Sequence, residues 1–140
     1  MTSVQKQQVP IDPTLFTWPG EEPRLIGTRC RDCGVMTFPA QRDCPRCAGE
    51  GMEEALFERR GTLWTFTTQE FVPKSPPYAR QETPETFERY AVGYVEFPGQ
   101  ARVQGRIDVD DPSALRIGME METVVVPLYD DVVTYAFRPC

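Results

Sequence analysis

Four cysteines in two closely spaced pairs are the residues of this chain whose types and spacing predict a specific chemistry. Cys30 and Cys33 form one Cys-x-x-Cys pair, and Cys44 and Cys47 form a second pair after ten intervening residues. Each pair brings two sulfurs within reach of one ion, and a hairpin between the pairs would close a tetrahedral cage with Zn–S distances of about 2.3 Å. Because protein sulfurs would fill all four positions, the spacing predicts a structural zinc ion with no open site for catalysis.

Other uses of these cysteines agree less well with the rest of the sequence. Two disulfides would need an oxidising compartment, and the first residues, Met-Thr-Ser-Val-Gln-Lys, lack the apolar core of a signal peptide. A redox-active Cys-x-x-Cys pair normally stands alone beside a βαβ pattern, which the sequence lacks. A rubredoxin-type iron would use the same four sulfurs, and the spacing does not distinguish it from zinc. Cys140 is interpreted as a frayed terminal thiol.

Length, composition and charge indicate a small cytoplasmic protein. The chain has 140 residues and a hydrophobic fraction of 40%, with a mean hydropathy of -0.43, so no membrane span is predicted. Its net charge of -6 and pI near 4.7 argue against a general nucleic-acid binder, which usually carries a basic excess. This length allows one modest hydrophobic core together with a small subdomain that takes its folding energy from a metal.

Basic residues are concentrated around the cysteines. Residues 24–47 contain five arginines (Arg24, Arg29, Arg31, Arg42 and Arg46) and only two acidic residues, although the whole chain is acidic. One interpretation is that the arginines partly offset the negative charge of a four-thiolate centre and keep the surface hydrated. The other is that they form a basic face for an anionic ligand or an acidic partner surface.

The chain is predicted to divide into an N-terminal segment (1–27), a metal ribbon (28–55) and a β domain (56–140). In the first segment, Asp12-Pro13 is typical of a helix N-cap followed by proline, and Pro19-Gly20 would end that short helix. The segment also holds an apolar set too large for a core of its own, which would pack on the ribbon or dock on a partner chain. That set consists of Leu15, Phe16, Trp18, Leu25 and Ile26.

The C-terminal part reads as an all-β module. Five stretches are rich in β-branched and aromatic residues and largely alternate, namely 63–71, 90–97, 101–107, 119–128 and 132–137. Five strands are the count of an OB-type barrel, and an open sandwich is the alternative because alternation does not show closure. Phe38-Pro39 lies in the expected hairpin of the ribbon.

A long, proline-rich insertion separates the first two of these stretches. Residues 72–89 exceed the length of a hairpin connection, and loops of this length are usually functional or disordered. Tyr78 and Phe87, beside Lys74 and Arg80, could stack on a base and pair with phosphate. The same aromatic residues could instead fix the loop to the barrel.

Residues that could carry catalysis are scarce. The chain has no histidine, so it offers neither an imidazole base nor a Ser-His or Cys-His pair. It also lacks the Gly-x-Ser-x-Gly elbow, the Walker loop and the dinucleotide fingerprint. The sequence therefore favours a binding protein over an enzyme that acts alone.

The order of motifs resembles a known family. The chain combines Phe16-Thr17-Trp18, Cys30-Arg31-Asp32-Cys33-Gly34, Phe38-Pro39, Cys44-Pro45-Arg46-Cys47, the segment Gly61-Thr62-Leu63-Trp64-Thr65-Phe66-Thr67, Tyr90-Ala91-Val92-Gly93-Tyr94-Val95-Glu96 and Ile117-Gly118-Met119. Together they resemble the acyl-CoA-associated zinc-ribbon/OB-fold family, also called domain of unknown function 35. The Cys-x-x-Cys pairs occur in many ribbons, whereas a ribbon followed by Gly-Thr-Leu-Trp-Thr-Phe-Thr is more specific.

The resemblance implies a fold and a role. The fold would be mainly β, with a rubredoxin-like zinc ribbon before a five-stranded OB barrel. The role would be that of a non-catalytic accessory subunit beside a thiolase-fold catalytic subunit, by analogy in a two-plus-two heterotetramer. The complex would cleave a CoA thioester by thiolysis or an aldol-type step, with benzoylsuccinyl-CoA from aromatic degradation as one candidate substrate and a steroid side-chain thioester as another.

The resemblance also suggests a purpose for the basic residues. CoA carries a diphosphate and a 3′-phosphate, which Arg31, Arg42 and Arg46 on the ribbon, or Lys74 and Arg80 in the long loop, could meet through charge-assisted hydrogen bonds. Two alternatives stay open: a free-standing CoA-binding protein, and an OB-fold protein that binds single-stranded nucleic acid. The acidic β domain disfavours the second of these.

Overall fold

The computed structural model describes residues 8–70 and 88–140. These residues form nine strands and a single turn of 3-10 helix, Pro112–Ala114. The strands are β1 (Val9–Pro10), β2 (Ile26–Cys30), β3 (Met36–Thr37), β4 (Met52–Leu56), β5 (Arg60–Gln69), β6 (Tyr90–Glu96), β7 (Arg102–Ile107), β8 (Glu120–Tyr129) and β9 (Val132–Pro139). Within the described ranges, no helix is long and apolar enough to cross a bilayer.

Strands β5 to β9 form a closed barrel. β5 pairs with β6, β6 with β7 and β8 with β9, all antiparallel, and β5 also pairs with β8. A parallel contact between Ile107 of β7 and Phe137 of β9 closes the circuit. This is the strand order of an OB fold, so the barrel prediction is confirmed and the open sandwich is wrong. All five predicted strands are present, and Asp111 caps the short helix before β8 through a bond from the Ser113 N–H to its Oδ1.

The ribbon is a three-stranded antiparallel sheet in the order β3, β2, β4. Its central strand, β2, runs into the first cysteine pair and pairs along its whole length with β4. Gly27 lies where a Cβ atom would stand 2.1 Å from the carbonyl oxygen of Thr37 and 2.7 Å from the Phe57 ring. Only glycine allows β2 and β3 to approach this closely.

The predicted N-terminal helix is wrong. Asp12 does accept the Thr14 N–H at 2.9 Å, as an N-cap would, but the turn ends after one bond from the Leu15 N–H to the Asp12 carbonyl. The following backbone pairs with a distant segment, because Thr17 donates to the Arg24 carbonyl and Ile26 donates to the Leu15 carbonyl. These bonds occupy backbone N–H and carbonyl groups that a helix would need for its own hydrogen bonds.

One hydrophobic core connects the N-terminal segment, the ribbon and the barrel. Phe16 packs against Tyr135 of β9 with ring centroids 6.4 Å apart. Phe38, from the loop that carries the second cysteine pair, lies against both Tyr135 and Phe57, at 5.5 and 6.1 Å. Leu25 is fully buried in the same cluster. Leu15, Phe16 and Leu25 are therefore buried within this chain, and Trp18 and Ile26 are half-buried. Docking of a partner on this segment, and the division at residues 27 and 55, stay predictions.

Candidate metal centre

The four predicted cysteines converge at the end of the ribbon. Their sulfurs all lie within 4.8 Å of one another. The Sγ atoms of Cys30 and Cys47 are 3.7 Å apart, and those of Cys33 and Cys44 are 3.5 Å apart. A regular tetrahedron with Zn–S distances of about 2.3 Å has edges of about 3.8 Å. The sulfurs thus stand close to the positions that one tetrahedral ion requires.

The two cysteine pairs have the same backbone conformation, repeated fourteen positions apart. In the first, Gly34 donates to the Cys30 carbonyl at 2.9 Å, and in the second, Ala48 donates to the Cys44 carbonyl at the same distance. Gly34 has φ of 80° and Ala48 has φ of 61°. Each pair therefore closes a tight turn whose last residue adopts a left-handed conformation. We call residues 30–34 the first knuckle and residues 44–48 the second knuckle.

Backbone donors favour the thiolate at Cys44. Burial alone would raise the pKa of this thiol, but the N–H groups of Cys47 and Arg46 both point at its Sγ, at 3.4 Å. These bonds stabilise the charged form and lower the pKa of Cys44 to about 6. Since metal ions bind thiolates, these two donors favour coordination by Cys44.

The sulfur distances also exclude the disulfide interpretation. A disulfide bond has an S–S length of about 2.05 Å, much shorter than the separations between the knuckles. None of the five cysteines forms a disulfide in this structure. Cys140 is exposed and is not part of the four-cysteine group. The donor set, four thiolates in a tetrahedron, fits zinc and also iron.

Comparison with known families agrees with this architecture. A family model described as "ChsH2, rubredoxin-like zinc ribbon domain" matches residues 17–53. A second, "ChsH2, C-terminal OB-fold domain", matches residues 55–126, about half of the chain. The chain belongs to this ChsH2 zinc-ribbon/OB-fold family. The resemblance drawn from the motifs is thereby confirmed.

Curated relatives of the family cover most of this chain. A "DUF35 domain-containing scaffold protein" from Methanocaldococcus jannaschii is 29% identical over 81% of this chain and 79% of the relative. The "Benzoylsuccinyl-CoA thiolase subunit BbsA" from Thauera aromatica is 32% identical over 85% of this chain and 78% of the relative. The solved structure titled "Ltp2-ChsH2(DUF35) aldolase" has a chain that superposes with a TM-score of 0.62 at 21% identity, over 83% of this chain and 84% of that one. That superposition supports the shared fold.

The predicted CoA-binding residues of this family member are only partly described. Arg31, Arg42 and Arg46 are exposed on the ribbon, and the Arg31 Nε donates to the Gly51 carbonyl at 3.4 Å. Arg31 and Arg46 belong to the first and second knuckle, so both stand beside the sulfur cage. Lys74 and Arg80, with Tyr78 and Phe87, lie outside the described residues. A CoA-binding role for these cations stays a prediction.

Sequence reasoning missed a charged cluster on the barrel. Glu122 of β8 is buried and accepts a hydrogen bond from the Arg138 Nε at 2.8 Å and another from the Arg59 Nη1 at 3.1 Å. The hydrogen bond from Arg138, together with the charges of Arg138 and Arg59, keeps the pKa of Glu122 below its usual value although burial opposes this. Only the strand register could have revealed this cluster, because Glu122 lies opposite Arg60 on β5 and Arg138 on β9.

Proposed function

We propose that this protein is a non-catalytic accessory subunit of a cytoplasmic thiolase-fold complex that acts on acyl-CoA thioesters. The observation that carries the proposal is the 32% identity, over 85% of this chain, with a relative named as a subunit of benzoylsuccinyl-CoA thiolase. A second subunit of that name, from Geobacter metallireducens, is 27% identical over a similar share. The proposed reaction class is thiolytic or aldol-type cleavage of a CoA thioester, with benzoylsuccinyl-CoA as one candidate substrate.

The composition and the metal cage support an accessory role. The sequence contains no histidine, so the partner would supply the general base that carbon–carbon cleavage needs. Four thiolates would saturate a bound zinc ion and leave no position for substrate. Zinc would therefore act structurally, holding the loop that inserts Phe38 between the ribbon and the barrel. We propose two accessory and two catalytic subunits per complex, by analogy with dimeric thiolase-fold enzymes.

A part in CoA binding is proposed for the exposed ribbon arginines. Arg31 and Arg46 flank a cage that carries a formal charge of about -2 once zinc is bound. Because their guanidinium groups face solvent, a bound CoA phosphate could pair with them without displacing a buried partner. Lys74 and Arg80 are proposed to extend this set.

The test of the subunit role begins with the tagged full-length chain in its native host. After a salt wash, mass spectrometry should find a thiolase-fold protein in nearly equal amount, and elemental analysis should find one zinc ion per chain. The purified partner should cleave CoA thioesters faster with this chain than without it. A chain that elutes alone contradicts the proposal, and its retention on immobilised CoA would then favour a free-standing CoA binder. Iron in place of zinc in the elemental analysis would overturn the metal assignment.

A variant separates CoA binding from assembly. Arg46→Ala should raise the KM for the acyl-CoA substrate several-fold while the complex stays intact and kcat changes little, because a phosphate contact is equally strong in the ground and transition states. Arg116→Ala removes an exposed arginine from the barrel and serves as the matched control. Unchanged kinetics of the Arg46→Ala complex would refute the phosphate contact and leave the subunit role standing.

A further inference from the structure

The outer face of β5, β6 and β7 carries an exposed aromatic pair that is not part of the core. Trp64 is 45% exposed and Tyr94 is 39% exposed. Their rings meet edge to face, with centroids 6.2 Å apart. Neither ring belongs to the buried cluster that joins the ribbon and the barrel. Adjacent half-exposed aromatic side chains on a sheet face are typical of an interaction surface.

A β-bulge in the barrel lies at Trp64 on this face. Leu63 pairs with Val95 and Thr65 pairs with Tyr94, so Trp64 is an extra residue with no partner of its own in the ladder. Leu63 is fully buried and Trp64 is exposed, and the bulge sets Trp64 beside Thr65, opposite Tyr94. Bulges disrupt regular pairing and are common where a strand must redirect a side chain for function.

Neighbouring side chains hold the aromatic pair in position. The Arg102 guanidinium lies 4.0 Å from the centroid of the Trp64 ring, and its Nε donates to Glu96 at 2.8 Å. Glu96 and Arg102 are direct cross-strand partners. A side chain fixed in this way loses less conformational entropy when a partner binds. The ion pair also leaves this part of the face nearly neutral, which suits a protein surface better than a polyanion.

A small dimple adjoins Tyr94 on the same face. It has a volume of about 120 Å³ and is lined by Thr65, Thr67, Val92 and Gln104 together with Tyr94. An aliphatic side chain in this dimple would bury apolar surface against Val92 and the tyrosine ring.

We propose that this face, which we call the Trp64 face, is the surface on which the thiolase-fold subunit docks, with one of its aliphatic side chains in the dimple. The inference rests on the proposed function. Trp, Tyr and Arg are the residue types that dominate binding energy at protein interfaces, where they cluster around small pockets. Two relatives are named as subunits of an enzyme, which favours a different protein over a second copy of this chain as the occupant.

Isothermal titration of the full-length chain with the co-purified partner tests the Trp64 face. Trp64→Ala should weaken the Kd at least about 30-fold, as truncation of a central interface tryptophan does. Thr67→Tyr would fill the dimple from an exposed strand position and should weaken the Kd at least about tenfold. Leu56→Ala truncates a side chain that is 39% exposed on β4 of the ribbon, in a different sheet from this face, and should change the Kd less than about twofold. Metal content and the thermal transition of each variant report whether it is folded.

The outcomes separate this inference from the function on which it rests. A wild-type chain that binds no thiolase-fold protein overturns both. If the wild type binds and both face variants bind equally well, only the docking surface is wrong. Self-association of the isolated chain that Trp64→Ala abolishes would assign the face to a second copy. Binding of a labelled oligothymidylate that the same variant abolishes would assign it to nucleic acid, and either result overturns the proposal.

Discussion

The two knuckles have one backbone conformation but are held by different interactions. The first follows β2, which pairs with β4 along its length, and its Cys30 is only 1% exposed. The Arg31 N–H in this knuckle also donates to the Gly51 carbonyl at 2.9 Å. The second knuckle lies between β3 and β4 in a stretch of turns and bends without strand pairing. Its Cys44 is buried as Cys30 is, but its Cys47 is exposed, whereas the equivalent Cys33 is half-buried.

This difference indicates how the cage assembles. The ribbon sheet can place the thiols of the first knuckle before any metal binds, because backbone pairing already fixes β2. The second knuckle belongs to no strand, so the metal must supply most of the free energy that orders it. Strand pairing therefore positions the first knuckle, whereas metal binding orders the second.

Loss of the metal should affect the two knuckles very unequally, and this is the largest effect that we expect. Cys44→Ser removes one ligand and should release the ion. Amide exchange, followed by mass spectrometry, should then become fast across residues 38–51 while β2 and the barrel stay protected. Cys140→Ser, at an exposed thiol outside the cage, should leave metal content and exchange unchanged. A Cys44→Ser chain with full metal content would contradict the ligand assignment, and equal loss of protection in β2 would contradict the division of the cage.

Gly27→Ala tests whether the close pairing of β2 and β3 holds the first knuckle in place. The new Cβ would stand 2.1 Å from the Thr37 carbonyl and 2.7 Å from the buried Phe57 ring, so β2 and β3 would have to separate. We expect unfolding in urea to show a loss of about 3 kcal/mol. Gly51→Ala is the control, since its Cβ would meet nothing closer than Arg31 at 3.5 Å. Equal stability of the two variants would show that close pairing of β2 and β3 is not what holds the first knuckle.

Features fixed by local patterns were predictable from the sequence. The ligands follow from Cys-x-x-Cys spacing, and the barrel strands follow from alternation. The helix at Asp12 was wrong because Phe16 and Thr17 pair with Leu25 and Arg24, which lie beyond the turn at Pro19-Gly20. The bulge at Trp64 and the ion pairs of Glu122 depend on strand register, which no short window of sequence contains.

A single hydrogen bond links the segment before the second knuckle to the sheet, and Thr28→Val removes it. The Thr28 hydroxyl accepts the Gln41 N–H at 3.1 Å and shares a second bond with the Thr37 hydroxyl at 2.6 Å. Valine has a similar shape but leaves the Gln41 N–H without its acceptor, at an expected loss of about 1 to 2 kcal/mol. Thr37→Val breaks only the hydroxyl pair and should be less damaging. If both variants lose the same stability in urea, the bond to Gln41 contributes nothing.

The smallest effect that we expect comes from substitutions of Gly34 and Ala48, the equivalent left-handed residues of the two knuckles. Gly34 has φ of 80°, whereas Ala48 has φ of 61° and bears the strain of a Cβ in that region. Ala48→Gly should therefore stabilise the metal-bound protein by up to about 1 kcal/mol, less the entropy that glycine adds to the unfolded chain. Gly34→Ala should destabilise it by about 1 kcal/mol through conformation alone, since a Cβ at Gly34 would meet nothing within 4 Å. Opposite signs in metal-saturated urea unfolding are the expected result, and shifts of the same sign would show that the knuckles do not share one backbone requirement.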